Sequence, residues 1–162
     1  MTLNKVIGMH KRFKSNHHVT ELVISNSSVV FWSNSLFVTF PGIKTLMIYN
    51  ASMKELSEGD FNYARNLETI EVQGNEINSL GNYVFQGAEN LTKIELESNQ
   101  IEKVFVNTFK GLTQLQFLSL KNNLITELLS GTFADLINLK ILILSNNLLK
   151  SLDGKLFQFN FC

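Results

Sequence analysis

Residues 91–101 read Leu91-Thr92-Lys93-Ile94-Glu95-Leu96-Glu97-Ser98-Asn99-Gln100-Ile101. Twenty-four positions later the chain reads Leu115-Gln116-Phe117-Leu118-Ser119-Leu120-Lys121-Asn122-Asn123-Leu124-Ile125. In both stretches the third and fifth residues after the first leucine are apolar and those between them are mostly polar. This period of two marks a strand with one buried face. Extended in both directions, the pattern fills rows of 24 that begin at Val19, Ile43, Leu67, Leu91, Leu115 and Leu139 without a gap. Three residues on, the rows carry Leu22, Leu46, Ile70, Ile94, Leu118 and Leu142; five on, Ile24, Ile48, Val72, Leu96, Leu120 and Leu144. Ten on stand Val29, Met53, Ile77, Ile101, Ile125 and Leu149, and thirteen on Trp32, Leu56, Leu80, Val104, Leu128 and Leu152. Eighteen on, every row has phenylalanine: Phe37, Phe61, Phe85, Phe109, Phe133 and Phe157.

One strand and one turn cannot bury their own apolar residues, so successive rows must stack and their strands must form a parallel sheet. The phenylalanine column predicts a structural spine on the far side of each coil, with rings in offset contact. Eight residues into the rows stand Ser27, Ala51, Asn75, Asn99, Asn123 and Asn147. An amide there, where the chain leaves the strand and turns inward, can satisfy backbone groups of its own and neighbouring coils. This predicts an asparagine ladder in the last four coils, weaker or absent in the first two.

Rows three to six fit L-x-x-L-x-L-x-x-N-x-L, and on these residues the chain resembles the leucine-rich repeat family. The 24-residue length with phenylalanine in the second half is similar to the extracellular type of Toll-like receptor ectodomains and insect secreted leucine-rich immune proteins. The expected fold is an α/β-type solenoid, a right-handed coil with one short parallel strand per repeat and a mostly irregular or 3-10 convex side. Its complete repeats are 19–42, 43–66, 67–90, 91–114, 115–138 and 139–162. Residues 1–18 read as a partial, weakly ordered N-terminal coil, because Phe13 lies 24 before Phe37. Neither end offers the polar cap that a solenoid needs for solubility. Row six should expose Leu139, Leu142, Leu144, Leu149, Leu152 and Phe157 edge-on. The expectation is a piece of a longer array, or ends covered by a homodimer.

Composition limits the functions. Of 162 residues, 44% are hydrophobic and 17% charged, which excludes an intrinsically disordered chain. Fourteen Lys+Arg balance fourteen Asp+Glu, so no general attraction to nucleic acid or an anionic membrane is expected. No apolar run is long enough for a secretory signal or a membrane span. The one cysteine, Cys162, excludes an internal disulfide and a cysteine-based zinc site, and is either a free thiol or half of a bridge to another chain segment. His10, His17, His18 and Glu21 match no metal-ligand spacing and read as a solvated entry turn. No metal and no cofactor is expected. The three N-glycosylation sequons, at Asn26, Asn50 and Asn90, are about as many as chance supplies among nineteen asparagines.

The resemblance implies that strand positions between the buried leucines face outward on a concave sheet, where ligands bind. Equal positions on neighbouring strands lie about 4.8 Å apart, so these columns become neighbours in space. The candidate ligand-binding residues are Tyr49, Glu71, Lys93, Glu95, Glu97, Phe117, Lys121, Ile141 and Ile143. Phe117, Ile141 and Ile143 form an apolar group of the kind that marks contact sites. Glu71 and Glu95, on adjacent rungs, should repel, a cost that a basic ligand would relieve. Their spacing resembles that of glycosidase carboxylates, but an open sheet face beside Lys93 gives little of the desolvation a general acid needs. The expected function is a non-catalytic protein-binding module. The resemblance makes it part of a secreted or cell-surface recognition or receptor protein, of innate-immune or signalling type. The alternatives are a self-assembling structural segment and a cytosolic adaptor, the latter matching the missing signal peptide.

Overall fold

The computed structural model describes residues 16–28 and 34–158. The strands are β1 (Glu21–Ser25), β2 (Thr45–Tyr49), β3 (Thr69–Gln73), β4 (Ser79–Leu80), β5 (Lys93–Glu95), β6 (Lys103–Val104), β7 (Phe117–Ser119) and β8 (Ile141–Ile143). Six of them form one sheet in the order β1-β2-β3-β5-β7-β8, every pair parallel. The register repeats the sequence period: Leu22 pairs with Leu46, Leu46 with Ile70, Ile70 with Ile94, Ile94 with Leu118 and Leu118 with Leu142. The register thus follows the 24-residue period, with one strand of this sheet in each row. Among the described residues helix is limited to α1 (Ser35–Thr39) and the 3-10 turns Asn16–His18 and Gly154–Phe157. Val29 and Trp32 of the first row, together with Phe13, His10 and Cys162, lie outside the described residues.

Leu46, Ile48, Leu67, Ile70, Val72, Leu91, Ile94, Leu96, Leu115, Leu118 and Leu120 are fully buried. Each inner coil is covered on both sides by its neighbours, so the core runs as a row of stacked columns. The phenylalanine spine closes the opposite side. Its ring centroids follow one another at 6.0, 5.5, 5.8, 5.8 and 5.6 Å from Phe37 to Phe157. These are offset contacts worth more than burial alone. Phe157 is the exception in burial, 51% exposed. In that last coil Leu139, Leu142, Leu144 and Leu149 are only partly buried, and Leu152 is exposed.

The asparagine ladder reaches backward by one coil. Asn75 Oδ1 accepts from the amides of Ala51 and Met53, while its Nδ2 donates to Ile48 O and Gln73 O. Asn99 and Asn123 repeat the arrangement on Ile77 and Ile101, and Asn147 does so on Ile125. Because each ladder residue serves the preceding coil, Asn75 satisfies the second coil although Ala51 occupies that coil's own ladder position. In the first coil Ser27 Oγ donates to Ser25 O at 2.9 Å.

Two regularities go beyond the expectation. The residue before each ladder position, Asn26, Asn50, Gly74, Ser98, Asn122 or Asn146, has φ between 49° and 65°. Every coil therefore leaves its strand through a left-handed residue, the conformation that asparagine and glycine tolerate best. At Gly74 space also matters, since a Cβ would stand 2.3 Å from Asn50 Oδ1. A second, two-stranded parallel sheet joins β4 to β6, with a further bridge from Leu56 to Leu80. It forms because the column thirteen residues into the coil is buried at Leu56, Leu80 and Val104, which holds three coil segments in register.

Candidate ligand-binding face

On the outward side of the main sheet the strand residues are partly exposed, as alternation requires. The structure brings Tyr49, Glu71, Lys93 and Glu95 into one network. Lys93 Nζ lies 2.7 Å from Glu71 Oε1 and 2.8 Å from Glu95 Oε1. The Tyr49 hydroxyl donates to Glu71 Oε2, and Gln73 Nε2 donates to Glu95 Oε2. All four oxygens of these two carboxylates are occupied. The repulsion expected between Glu71 and Glu95 is thus relieved inside the protein by Lys93, and no basic ligand is needed for that purpose. Gln73, which the sequence reading passed over, completes the network. Its signal was only its place on an outward strand position.

Glu97 stands apart, accepting from Ser119 Oγ at 2.7 Å. Lys93 also lies 5.9 Å from the centre of the Phe117 ring, a cation–π distance. The lysine therefore joins the polar half of the face to its apolar half. In that apolar half Phe117 pairs with Ile141 and Ser119 with Ile143 across adjacent strands. Ile141 is 50% exposed, while Phe117 and Ile143 are half-buried. Lys121 sits on the strand exit beside them and forms no ion pair among the described residues.

The titration of the network follows from its geometry. Burial opposes ionisation of Glu71, but hydrogen bonds from Lys93 and Tyr49 and the Lys93 charge outweigh it, so its pKa falls below the ordinary 4.5. That is opposite to what a general acid requires. Burial, the hydrogen bond to Glu71 and the surrounding carboxylates together push the Tyr49 phenol well above its usual range. Lys93 loses some basicity to desolvation yet gains more from Glu71 and Glu95, and its pKa rises above 10.5. A depressed carboxylate contributes stability above its ordinary pKa and loses it as pH falls through the folded value; a raised lysine contributes below 10.5 and loses it above. We therefore expect the Glu71 contribution to disappear below about pH 4 and the Lys93 contribution only in strong alkali. Glu71→Gln should cost about 1 kcal/mol at pH 7, modest because the lysine is partly solvated, and should lose little further stability below pH 4. Urea unfolding of both proteins from pH 3 to 7 checks this: the two curves converge in acid.

Asparagines outside the ladder also bridge coils. Nδ2 of Asn66, Asn90 and Asn138 donates to the carbonyls of Pro41, Arg65 and Thr113, each 25 residues back, at 2.8, 2.7 and 2.8 Å. The sequon at Asn90 is thus part of this brace, and Thr92 Oγ1 bonds Glu68 O at 3.1 Å. Among the described residues no cluster of three or more metal-ligating side chains occurs. Nor is any helix among them long and apolar enough to cross a membrane.

The Leucine rich repeat family model matches residues 65–125, the coils in which the ladder and the strand register are most regular. Residues 65–125 thus carry the repeat pattern of that family. The coils of this chain superpose on a chain of the TLR13–ssRNA13 complex with a TM-score of 0.72 and 27% identity, over 77% of this chain and 18% of that one. They also superpose on a chain of the Toll–Spatzle complex, described as a hub in Drosophila development and innate immunity. There the TM-score is 0.72 and the identity 26%, over 82% of this chain and 18% of that one. The chain therefore spans about 18% of the length of the structures it matches, and resembles Toll-like receptor ectodomains. That resemblance supports an interaction module of the kind found in immune receptors. No curated protein sequence matches it significantly. Zero net charge argued against nucleic acid, yet one of the two similar structures is a complex with ssRNA, so net charge alone does not set that class of ligand aside.

Proposed function

We propose that this leucine-rich repeat chain is a non-catalytic protein-binding module that engages its ligand on the outward, concave strand face. We place it in a secreted or cell-surface recognition protein of innate-immune or signalling type. The observation that carries the reading is the apolar group Phe117, Ile141 and Ile143, side by side on strands whose outward neighbours are otherwise polar. A contiguous apolar patch on a solvent-facing sheet is favourable only when something covers it. A protein ligand fits better than a polyanion, because the group that needs covering is apolar and a phosphate offers it no apolar surface. The extracellular setting is supported by the receptor ectodomains that the coils resemble.

Phe117→Ser combined with Ile141→Ser should weaken binding of selected protein ligands about a hundredfold while circular dichroism stays unchanged. Val38→Ser, at an exposed site away from the sheet, should leave binding intact. Surface plasmon resonance reads both. Equal affinity for the double variant and the parent would contradict the assignment of this face. A self-assembling segment is the second reading, favoured by the half-exposed leucines of the last coil. It predicts concentration-dependent dimers in light scattering that persist in the Phe117→Ser, Ile141→Ser double variant.

A further inference from the structure

The two halves of the strand face are not equivalent as docking surfaces. In the polar half every oxygen of Glu71 and Glu95 already has a partner, and Lys93 is shared between them. A basic ligand would have to break those bonds before making its own, so the net gain there is small. In the half formed by β7 and β8 the position is reversed. Ile141 is exposed and Phe117 and Ile143 are half-buried, and beside them stand two lysines without a carboxylate partner among the described residues. Lys121 stands at the strand exit, and Lys140 at the strand entrance, where its Nζ donates to the neutral Gln116 Oε1 at 3.0 Å. In the Lys121 column Glu97, one rung back, accepts from Ser119 Oγ and forms no ion pair with Lys121 among the described residues.

From this arrangement we infer that the ligand is an acidic, apolar-centred peptide segment of a partner protein, held in extended form across β7 and β8. This rests on the reading that the strand face binds protein. Lys140 and Lys121 are five positions apart along the coil and one rung apart across it, roughly 17 Å between backbones at about 3.3 Å per residue. In an extended peptide, residues i, i+2 and i+4 point to one side and span about 13 Å. The lysine side chains reach the difference. The recognised pattern is therefore acidic-x-apolar-x-acidic, the central side chain lying on Phe117, Ile141 and Ile143 and each carboxylate facing one lysine. Lys93 closes the other edge of the apolar group, fixing the ring of Phe117 from above.

A random twelve-residue peptide library displayed on phage and selected on the immobilised chain tests the inference without a known ligand. The enriched peptides should carry two acidic residues flanking an apolar one at spacing two. Their affinity should fall about tenfold with Lys121→Glu or Lys140→Glu, recover at the Lys121→Arg variant, and weaken at high salt. Enriched peptides that are basic, or whose affinity ignores both charge reversals yet falls with Ile141→Ser, overturn the acidic ligand and leave the strand face as the binding site. Peptides indifferent to Ile141→Ser overturn the strand-face reading too, as does a library that yields no enriched peptide. Concentration-dependent dimers abolished by Ile141→Ser would show a second copy of the chain on this face and also contradict the inference.

Discussion

Asn123→Ala is expected to lower the unfolding free energy by about 3 kcal/mol, although the side chain is small and polar. Asn123 is 4% exposed, and its one amide serves four backbone groups. Oδ1 accepts from Ile101 N, and Nδ2 donates to Leu96 O, Leu120 O and Lys121 O at 2.9, 3.0 and 3.2 Å. Truncation leaves the Ile101 amide and the Leu96 carbonyl buried between coils without that partner, and each such group costs about 1–3 kcal/mol. Asn123→Asp separates the two roles of the amide. The aspartate still accepts from Ile101 but turns a carboxylate toward three carbonyls, a loss of about 3–5 kcal/mol at pH 7. Protonation restores one donor, so this variant should regain stability as pH falls, unlike Asn123→Ala. Urea titrations at pH 4 and 7 separate the two cases. Equal pH dependence for both variants would show that the donor side of the ladder is unimportant.

The second large effect belongs to the spine. Phe109 is 1% exposed and lies between Phe85 and Phe133, 5.8 Å from each. Removing it opens a cavity inside one coil and deletes two ring contacts, at a cost of about 4 kcal/mol. For a domain of this size that lowers Tm by roughly 8–16 °C. Phe157→Ala should cost no more than about 1.5 kcal/mol, because that ring is half-exposed and touches one spine neighbour. Because coils contact only their neighbours, Phe109→Ala weakens the array in its middle and should broaden the thermal transition. Differential scanning calorimetry reads both consequences. A sharp transition at the parent Tm would contradict the stacked-column description.

Much of this was legible before any coordinates. The 24-residue period is gapless from Val19 onward, so one correct strand places five others, and the register of Leu22 through Leu142 follows by arithmetic. The ladder was legible because asparagine recurs where a strand must end. Its direction was not: nothing in one row tells whether Asn75, besides its own coil, serves the coil before or the coil after. The left-handed column was open to reading as well, since Asn26, Asn50, Gly74, Asn122 and Asn146 are residue types that accept positive φ. It was missed because Ser98 breaks the composition of the column while keeping its conformation. The asparagine brace at Asn66, Asn90 and Asn138 was hidden in the same way, by Gln114 in the fourth row.

On the strand face, the sequence placed Glu71, Lys93 and Glu95 on one surface and misjudged their state. Strand alternation puts Glu71, Lys93 and Glu95 outward, but which partner a long side chain chooses depends on rotamers that spacing does not encode. Lys93 folds back between two carboxylates and over Phe117, and so turns an apparently available acidic cluster into a satisfied one. That single choice moves the expected ligand contact from the middle of the sheet to β7 and β8.

Amide hydrogen exchange on the chain bound to a selected protein ligand tests the functional account most directly. If the ligand lies across the strand face, protection should concentrate in residues 117–121 and 141–145, with the spine side of the same coils unchanged. Protection confined to the spine side, around residues 105 and 129, would contradict it.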